Sequence, residues 1–122
     1  MIAKVEEPAD SAGLERWRSI SDLRKLGPPA VEYLVINLWD ADGKVRLAAV
    51  DALGSIGDRR AFEHLVRMLG DPDHDVRFAS VVALGNLGDE RAIGPLCVAC
   101  NDSNGYVRTI AQETVEKLKA GQ

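Results

Sequence analysis

The sequence predicts an all-α fold, a solenoid of about three and a half stacked helical hairpins with seven helices. Three observations support this prediction: a 31-residue segment recurs, apolar residues within each copy follow helical spacing, and aspartate and glycine mark the helix boundaries at a constant register. A short helix of this kind cannot bury its apolar stripe alone, whereas stacked hairpins bury it continuously.

The repeat is clearest in the middle of the chain. Residues 40–70 and 71–101 align without a gap and are identical at 14 of 31 positions. A further copy begins at Asp102 and has only its first helix, and a divergent copy precedes the central two, with a one-residue slip at Pro28-Pro29. The predicted organisation is a flexible N-terminal segment (1–11), a single repeat domain (12–119, with units 12–39, 40–70, 71–101 and 102–119) and a C-terminal tail (120–122).

Each unit contains two amphipathic helical patterns. In the first helix of the second unit, apolar residues fall at i, i+3, i+4, i+7, i+8 and i+11: Val45, Ala48, Ala49, Ala52, Leu53 and Ile56. This spacing forms one stripe on a helix, and a strand would alternate instead. The second helices carry a shorter stripe, in which Leu34, Leu65 and Leu96 are equivalent. Trp17 and Trp39 are predicted to pack within the divergent first unit.

Aspartate and glycine residues mark where the predicted helices begin and end. Asp42 and Asp73 precede the first helices, where a side-chain oxygen can accept hydrogen bonds from free backbone amides. Helix-end positions are predicted for four glycines at fixed register: Gly54, Gly57, Gly85 and Gly88. Asp58 and Asp89 then follow as caps for the second helices.

Composition restricts the function classes. The net charge of −4 and the pI near 5.1 argue against a protein that binds duplex nucleic acid, because such binding needs a basic face. The sequence contains neither a signal-peptide pattern nor the ~18 consecutive apolar residues that a membrane span requires. We therefore expect a cytoplasmic protein without membrane contacts, whose two cysteines are reduced.

Three segments of the third unit resemble a known repeat family: Asp71-Pro72-Asp73-His74-Asp75-Val76-Arg77, Ala83-Leu84-Gly85, and Leu87-Gly88-Asp89-Glu90-Arg91-Ala92. They are similar to the HEAT-like repeats of phycobilisome (bilin) lyase subunits, and the resemblance covers residues 12–119. It implies a right-handed α-α superhelix with the first helices on the convex side and the second helices on the concave side. The shared residues are structural, so the resemblance says little about function.

The outward residues of the second helices differ between units, as expected for a scaffold with a specialised face. We predict a non-catalytic scaffold that binds a protein or peptide through the concave face of these helices; a homodimer through this face or through the C-terminal end is an alternative. The predicted binding residues are Tyr33, Ile36, Asn37, His64, Arg67, Met68 and Val98.

Three arginines recur 31 residues apart: Arg46, Arg77 and Arg108. A catalytic site would not normally be built three times, whereas a ladder of Arg–Asp contacts between neighbouring units would be. We predict such a structural ladder, with Asp58 and Asp89 as its aspartates.

Two motifs contain residue types that can bind metal ions, one of cysteines and one of aspartates. Cys97 and Cys100 form a Cys-x-x-Cys pair, but the repeat aligns both with core positions, so buried structural thiols are predicted. Asp71, Asp73 and Asp75 resemble the start of a calcium loop that would need glycine at Val76. No catalytic residue, metal site or cofactor is predicted.

Two other functions were considered. The first is an accessory subunit of a bilin-lyase-like complex. The second is a nucleic-acid-binding module similar to the HEAT-like alkylpurine glycosylases, which would use Arg59, Arg60, Arg67 and Arg91. Deoxyhypusine hydroxylase, another HEAT-like family, binds iron through repeated His-Glu pairs. Neither His64 nor His74 is followed by glutamate, so this activity is not predicted.

Overall fold

The structure, a computed structural model, describes residues 7–121, and all regular secondary structure within them is helical. The seven α-helices are α1 (Ser11–Leu26), α2 (Val31–Asn37), α3 (Gly43–Ile56), α4 (Phe62–Met68), α5 (His74–Leu87), α6 (Ile93–Ala99) and α7 (Gly105–Ala120). The prediction of an all-α fold with seven helices is confirmed. None of the helices in the described part of the chain is long and apolar enough to cross a membrane.

The turn inside each hairpin is tight and has the same form in the second and third units. Gly57 and Gly88 end α3 and α5 at φ values of 72° and 67°, in the left-handed region that favours glycine. The carboxylates of Asp58 and Asp89 then accept hydrogen bonds from the amides two residues later, each 2.9 Å long. A three-residue 3₁₀ turn follows before α4 and α6, so the second helices are short.

The helices form two layers. The first-helix layer (α1, α3, α5 and α7) is packed side by side, with α3 between α1 and α5, and α5 between α3 and α7. The second-helix layer (α2, α4 and α6) lies on it, with α2 against α3, α4 against α5 and α6 against α7. Leu34, Leu65 and Leu96 occupy equivalent, fully buried places between the layers. Neighbouring hairpins therefore form each other's interior, as the 31-residue period predicts.

Two glycines predicted at helix ends lie inside helices, and that prediction is wrong. Gly54 and Gly85 lie within the last turns of α3 and α5, two residues before the final helical residues Ile56 and Leu87. A Cβ atom added to Gly54 would lie 2.8 Å from the Cβ of Ala83, and one on Gly85 would lie 3.0 Å from Cγ2 of Thr114. These glycines are needed because they let neighbouring first helices approach closely.

The Arg–Asp ladder between units is present, but its acceptors are not the predicted ones. Arg46 donates to both carboxylate oxygens of Asp71 at 2.9 and 3.2 Å, and Arg77 does the same to Asp102 at 2.9 and 3.1 Å. Arg16, which aligns with Arg46 at the 30-residue offset of the first unit, makes the corresponding pair with Asp40.

Arg108 has no carboxylate partner in the described chain. Like Arg46 and Arg77, it donates to the carbonyl oxygens of the first two residues of its own unit, here Asp102 and Ser103. Asp58 and Asp89 bind Arg60 and Arg91 within their own turns instead. The aspartate at the start of each unit therefore joins it to the preceding unit, while the aspartate after the glycine serves the local turn.

The two outermost first helices present polar outer faces. In α1, the positions that are apolar or small in α3 and α5 carry Glu15, Arg18, Ser19 and Asp22, all of them exposed. In α7, Thr109, Gln112 and Glu116 replace residues that are buried in α3 and α5. Polar outer faces of this kind are typical of the terminal helices of a solenoid.

The domain boundaries differ slightly from the prediction. Residues 1–6 of the predicted flexible segment lie outside the described residues. In the described part of this segment, Pro8 is buried, the carbonyl of Glu7 accepts a hydrogen bond from Lys44, and Asp10 caps α1. Helix α7 continues to Ala120, into the predicted tail.

Candidate protein-binding surface

The second-helix layer, with the turn after α2, carries four of the six exposed large apolar side chains in the described chain: Tyr33, Ile36, Trp39 and Val98; the other two, Leu26 and Tyr106, belong to α1 and α7. The helices α2, α4 and α6 have seven residues each, so they make only two turns. Their inward positions are held by the buried alanine and leucine columns, beginning with Ala30, Ala61 and Ala92. The remaining positions divide into columns whose exposure can be compared between units.

One column faces solvent in all three units, and we call it the outward row: Ile36, Arg67 and Val98. Ile36 and Val98 are 69% and 74% exposed, and Arg67 is exposed as well. The neighbouring column one turn earlier holds Glu32, Glu63 and Gly94, which are also exposed. The three members of the outward row are thus accessible to solvent, and their role in binding stays a prediction.

A second predicted column lies partly between the helices. Tyr33 is 63% exposed, whereas the equivalent His64 and Pro95 are half-buried. This difference indicates that the column faces the preceding unit, which the first unit lacks within the described residues. The Nδ1 atom of His64 is buried without a hydrogen-bond partner, so this side chain offers little to an external ligand.

The third predicted column packs inward, and the prediction of an exposed Met68 is wrong. Met68 is only 3% exposed because it follows Ala61 by seven residues and Leu65 by three, which places it on the buried stripe of α4. Asn37 in the same column is half-buried, and its amide donates to the carbonyl of Tyr33 at 3.2 Å. Neither residue belongs to the outward surface.

Trp39, which was predicted to pack inside the first unit, is 58% exposed. Its backbone amide donates to the carbonyl of Ile36, so the turn after α2 holds it close to the helix end. Tyr33, Ile36 and Trp39 follow each other at three-residue steps and form what we call the apolar patch. The repeat alignment indicates that Trp39 is exposed, because Trp39 aligns with Gly70 and Asn101, which are exposed turn residues. Trp17, in contrast, is half-buried against the core as predicted.

The two cysteines are not equally buried. Cys97 is exposed, which contradicts the prediction, because its column faces the following second helix and none follows α6 in the described chain. Cys100 is half-buried, and burial, with a smaller contribution from Cys97, raises the pKa of its thiol. Among residues 7–121, no group of three or more His, Cys, Asp or Glu side chains is placed to hold a metal ion.

Two of the four arginines in the nucleic-acid hypothesis, Arg60 and Arg91, are paired with carboxylates. Arg60 binds Asp58 at 3.0 Å and lies 3.8 Å from Glu32. Arg91 binds Asp89 at 2.7 Å and stacks over the ring of Phe62, 4.4 Å from its centroid. The hydrogen bonds from Arg91 are the main reason why the pKa of Asp89 falls to about 2. These pairs reduce the positive potential available to a phosphate backbone.

Comparison with known proteins identifies the class of this fold. The family of HEAT repeats matches residues 28–116, well over half of the chain. The chain therefore belongs to the HEAT-repeat family, which explains both the helical hairpins and the recurrence of the structural residues. Members of this family commonly bind proteins, and this chain has their repeat-scaffold architecture.

Solved structures support the same class. The chain is similar to human deoxyhypusine hydroxylase in complex with glycerol, with a TM-score of 0.77 and 26% identity over 97% of this chain and 41% of that chain. It is also similar in fold to an engineered protein, with a TM-score of 0.68 and 22% identity over 93% of this chain and 59% of that one.

The chain spans about two fifths of the hydroxylase. Curated protein sequences gave no match. Because one structural relative is an enzyme by its name, the non-catalytic role of this chain stays a prediction.

Proposed function

We propose that this chain is a scaffold that binds a protein or peptide on its second-helix layer, the predicted concave face. The observation that carries the proposal is the outward row, in which Ile36 and Val98 are the most exposed large apolar side chains of the described chain. Single exposed apolar residues are common. Here they recur in the same column of two units, and the apolar patch extends one of them.

Residue types support the same surface. Tyrosine, tryptophan and arginine are enriched in the centres of protein interfaces, and Tyr33, Trp39 and Arg67 provide one of each. The outer faces of α1 and α7 carry mainly polar side chains instead, and in the described chain these two helices contribute two of the exposed large apolar residues, Leu26 and Tyr106. Of these exposed surfaces, the second-helix layer is therefore the better candidate for a partner.

Affinity capture with matched variants tests this proposal. The wild-type chain, an Ile36→Glu/Val98→Glu variant and a Ser19→Glu/Gln112→Glu control are immobilised, and proteins retained from a lysate of the source cell are quantified by mass spectrometry. Both variants add two negative charges at exposed helical positions, so the added charge is matched, while only the first variant removes exposed apolar side chains. We expect a protein that the wild type and the control retain and the first variant loses. Equal retention by all three chains would show that the proposed surface is wrong.

A further inference from the structure

Arg67 at the centre of the outward row is an exposed cation that makes no salt bridge within residues 7–121. The carboxylates around it are neighboured by other arginines. Glu32 lies 3.8 Å from Arg60. The hydrogen bond to Asp89 is the main reason why the pKa of Arg91 is raised, and the negative charge of Glu63 contributes less. Glu63 lies four residues before Arg67 in α4 but forms no salt bridge with it in the described chain, so the guanidinium of Arg67 stays available to a ligand.

Apolar groups lie on both sides of this charge. The apolar patch provides Tyr33, Ile36 and Trp39 in the first unit, and Val98 lies in the third unit with the exposed Cys97 beside it. Along the outward row, a basic group in the second unit thus lies between apolar groups in the first and third units. A ligand that complements it has an acidic group between two apolar groups.

The spacing between units sets the spacing in the ligand. Packed helices lie about 8–10 Å apart, and an extended chain advances about 3.3 Å per residue, so roughly three ligand residues span one unit. An extended segment that crosses the second helices would place every third side chain over the outward row.

A second copy of this chain fits this surface poorly. In a two-fold symmetric contact between two outward rows, the central residue of one copy faces the central residue of the other. That arrangement would place Arg67 opposite its own copy, and like charges at the centre of an interface oppose association.

We infer that the outward row recognises an extended acidic segment of a partner protein with the pattern apolar-x-x-Asp/Glu-x-x-apolar. This inference rests on the proposed function and adds the chemistry of the ligand. Arg67 selects the central carboxylate, the apolar patch takes the larger terminal side chain, and Val98 takes the other. Arg67 is thus the specificity-determining residue of the surface.

Peptide selection tests the inference. A phage-displayed library of random nine-residue peptides is selected on the wild-type chain, on Arg67→Glu and on the control Arg18→Glu. Arg18 is likewise exposed and without a salt bridge in the described chain, so both variants change the net charge equally. We expect the stated pattern on the wild type and the control, and lysine or arginine at the central position on Arg67→Glu. A synthetic peptide with central glutamate should bind Arg67→Glu about five- to tenfold more weakly than wild type.

The outcomes separate this inference from the proposed function. Peptides that bind the wild type and are lost on Ile36→Glu/Val98→Glu, but show no central acidic preference, would overturn the inference and leave the proposed function standing. If both the inference and the proposed function are wrong, no peptide will be enriched, or the enriched peptides will bind the Ile36→Glu/Val98→Glu variant as well as they bind the wild type. A dimer in sedimentation equilibrium that Ile36→Glu dissociates would identify a second copy as the occupant, and the peptide inference would be wrong.

Discussion

The two layers of the molecule use the repeat differently. In the first-helix layer, the second and third units share most of their buried residues, including Leu53 with Leu84 and Gly54 with Gly85. In the second helices, the two units share only Leu65 with Leu96, although the flanking alanines also match. The first layer stacks helix against helix at close range, while the second keeps a few inward residues constant and varies the rest.

This difference shows which constraint acts on each residue. A position in the first-helix layer contacts the units on both sides, so its size is fixed by two neighbours. A position in the outward row is largely exposed, and its residue changes from Ile36 to Arg67 to Val98 between units that keep the same fold. Variation within a regular repeat therefore marks the surface that is free to bind.

The largest expected effect comes from truncating an aliphatic side chain in each layer. Leu53→Ala in α3 removes a fully buried side chain and should lower the free energy of unfolding by about 2–5 kcal/mol. Ile36→Ala in α2 should change it by less than about 0.5 kcal/mol, because its side chain already faces water. Urea unfolding measures both values. Similar losses for the two variants would remove the distinction between the layers.

The ladder should give the next largest effect. Asp71→Ala leaves the guanidinium of Arg46 without its carboxylate and also removes a hydrogen bond to the amide of Asp73, so a loss of about 2–4 kcal/mol is expected. Asp51→Ala is the control, because Asp51 is exposed and 4.0 Å from Arg24; its effect should stay within about 0.5 kcal/mol. A neutral Asp71→Ala variant would mean that the ladder does not hold the units together.

Two glycine substitutions should change the free energy of unfolding in opposite directions. Gly54→Ala should destabilise the chain by about 1–3 kcal/mol, because the new Cβ would meet Ala83 at 2.8 Å. Gly70→Ala, in the turn after α4, is the comparison. Gly70 is not in the left-handed region, and the new Cβ would make only an ordinary contact, 3.6 Å from the carbonyl oxygen of Arg67, so this substitution should stabilise the chain by up to about 1 kcal/mol. Thermal unfolding followed by circular dichroism distinguishes the two signs. Stabilisation by both substitutions would argue against close packing in the first-helix layer.

The smallest effect concerns acid sensitivity. The hydrogen bonds from Arg91 lower the pKa of Asp89 to about 2, so the folded state gains stability that is present above the unfolded pKa of about 4. This contribution is lost as the pH falls from about 4 towards about 2. Because Arg91 is largely exposed, solvent and salt weaken the pair.

Asp89→Asn keeps a capping side chain, since asparagine caps helices as well as aspartate does. It should flatten the decline in the free energy of unfolding between pH 4 and pH 2, measured by urea titration at each pH. An unchanged decline in this variant would assign the acid sensitivity to other carboxylates. Asp40 is one of them, because the hydrogen bond from Arg16 lowers its pKa.

Much of the fold can be predicted from this sequence because equivalent positions of the repeat can be compared with one another. Period, helix number, caps and the equivalence of Leu34, Leu65 and Leu96 all follow from residues that recur. The site is harder to predict, because exposure depends on what neighbouring units cover. Cys97 is exposed although its repeat equivalents are half-buried, and Met68 is buried although it lies beside the exposed Arg67.

The errors have physical causes that a linear alignment does not show. Gly54 is indistinguishable by residue type from a helix-ending glycine, and only the approach of Ala83 reveals its role. Both Asp58 and Asp71 recur in register, but only Asp71 lies within reach of the preceding unit's Arg46. Sequence periodicity predicts that partners exist between units, and three-dimensional packing decides which residues they are.

The most direct test of the central claim is amide chemical-shift mapping of the ¹⁵N-labelled chain as a peptide selected from the library is added. The account predicts that the shifts concentrate in α2, α4 and α6 around Ile36, Arg67 and Val98. Shifts concentrated instead in the first-helix layer, for example on the outer faces of α1 or α7, would contradict it.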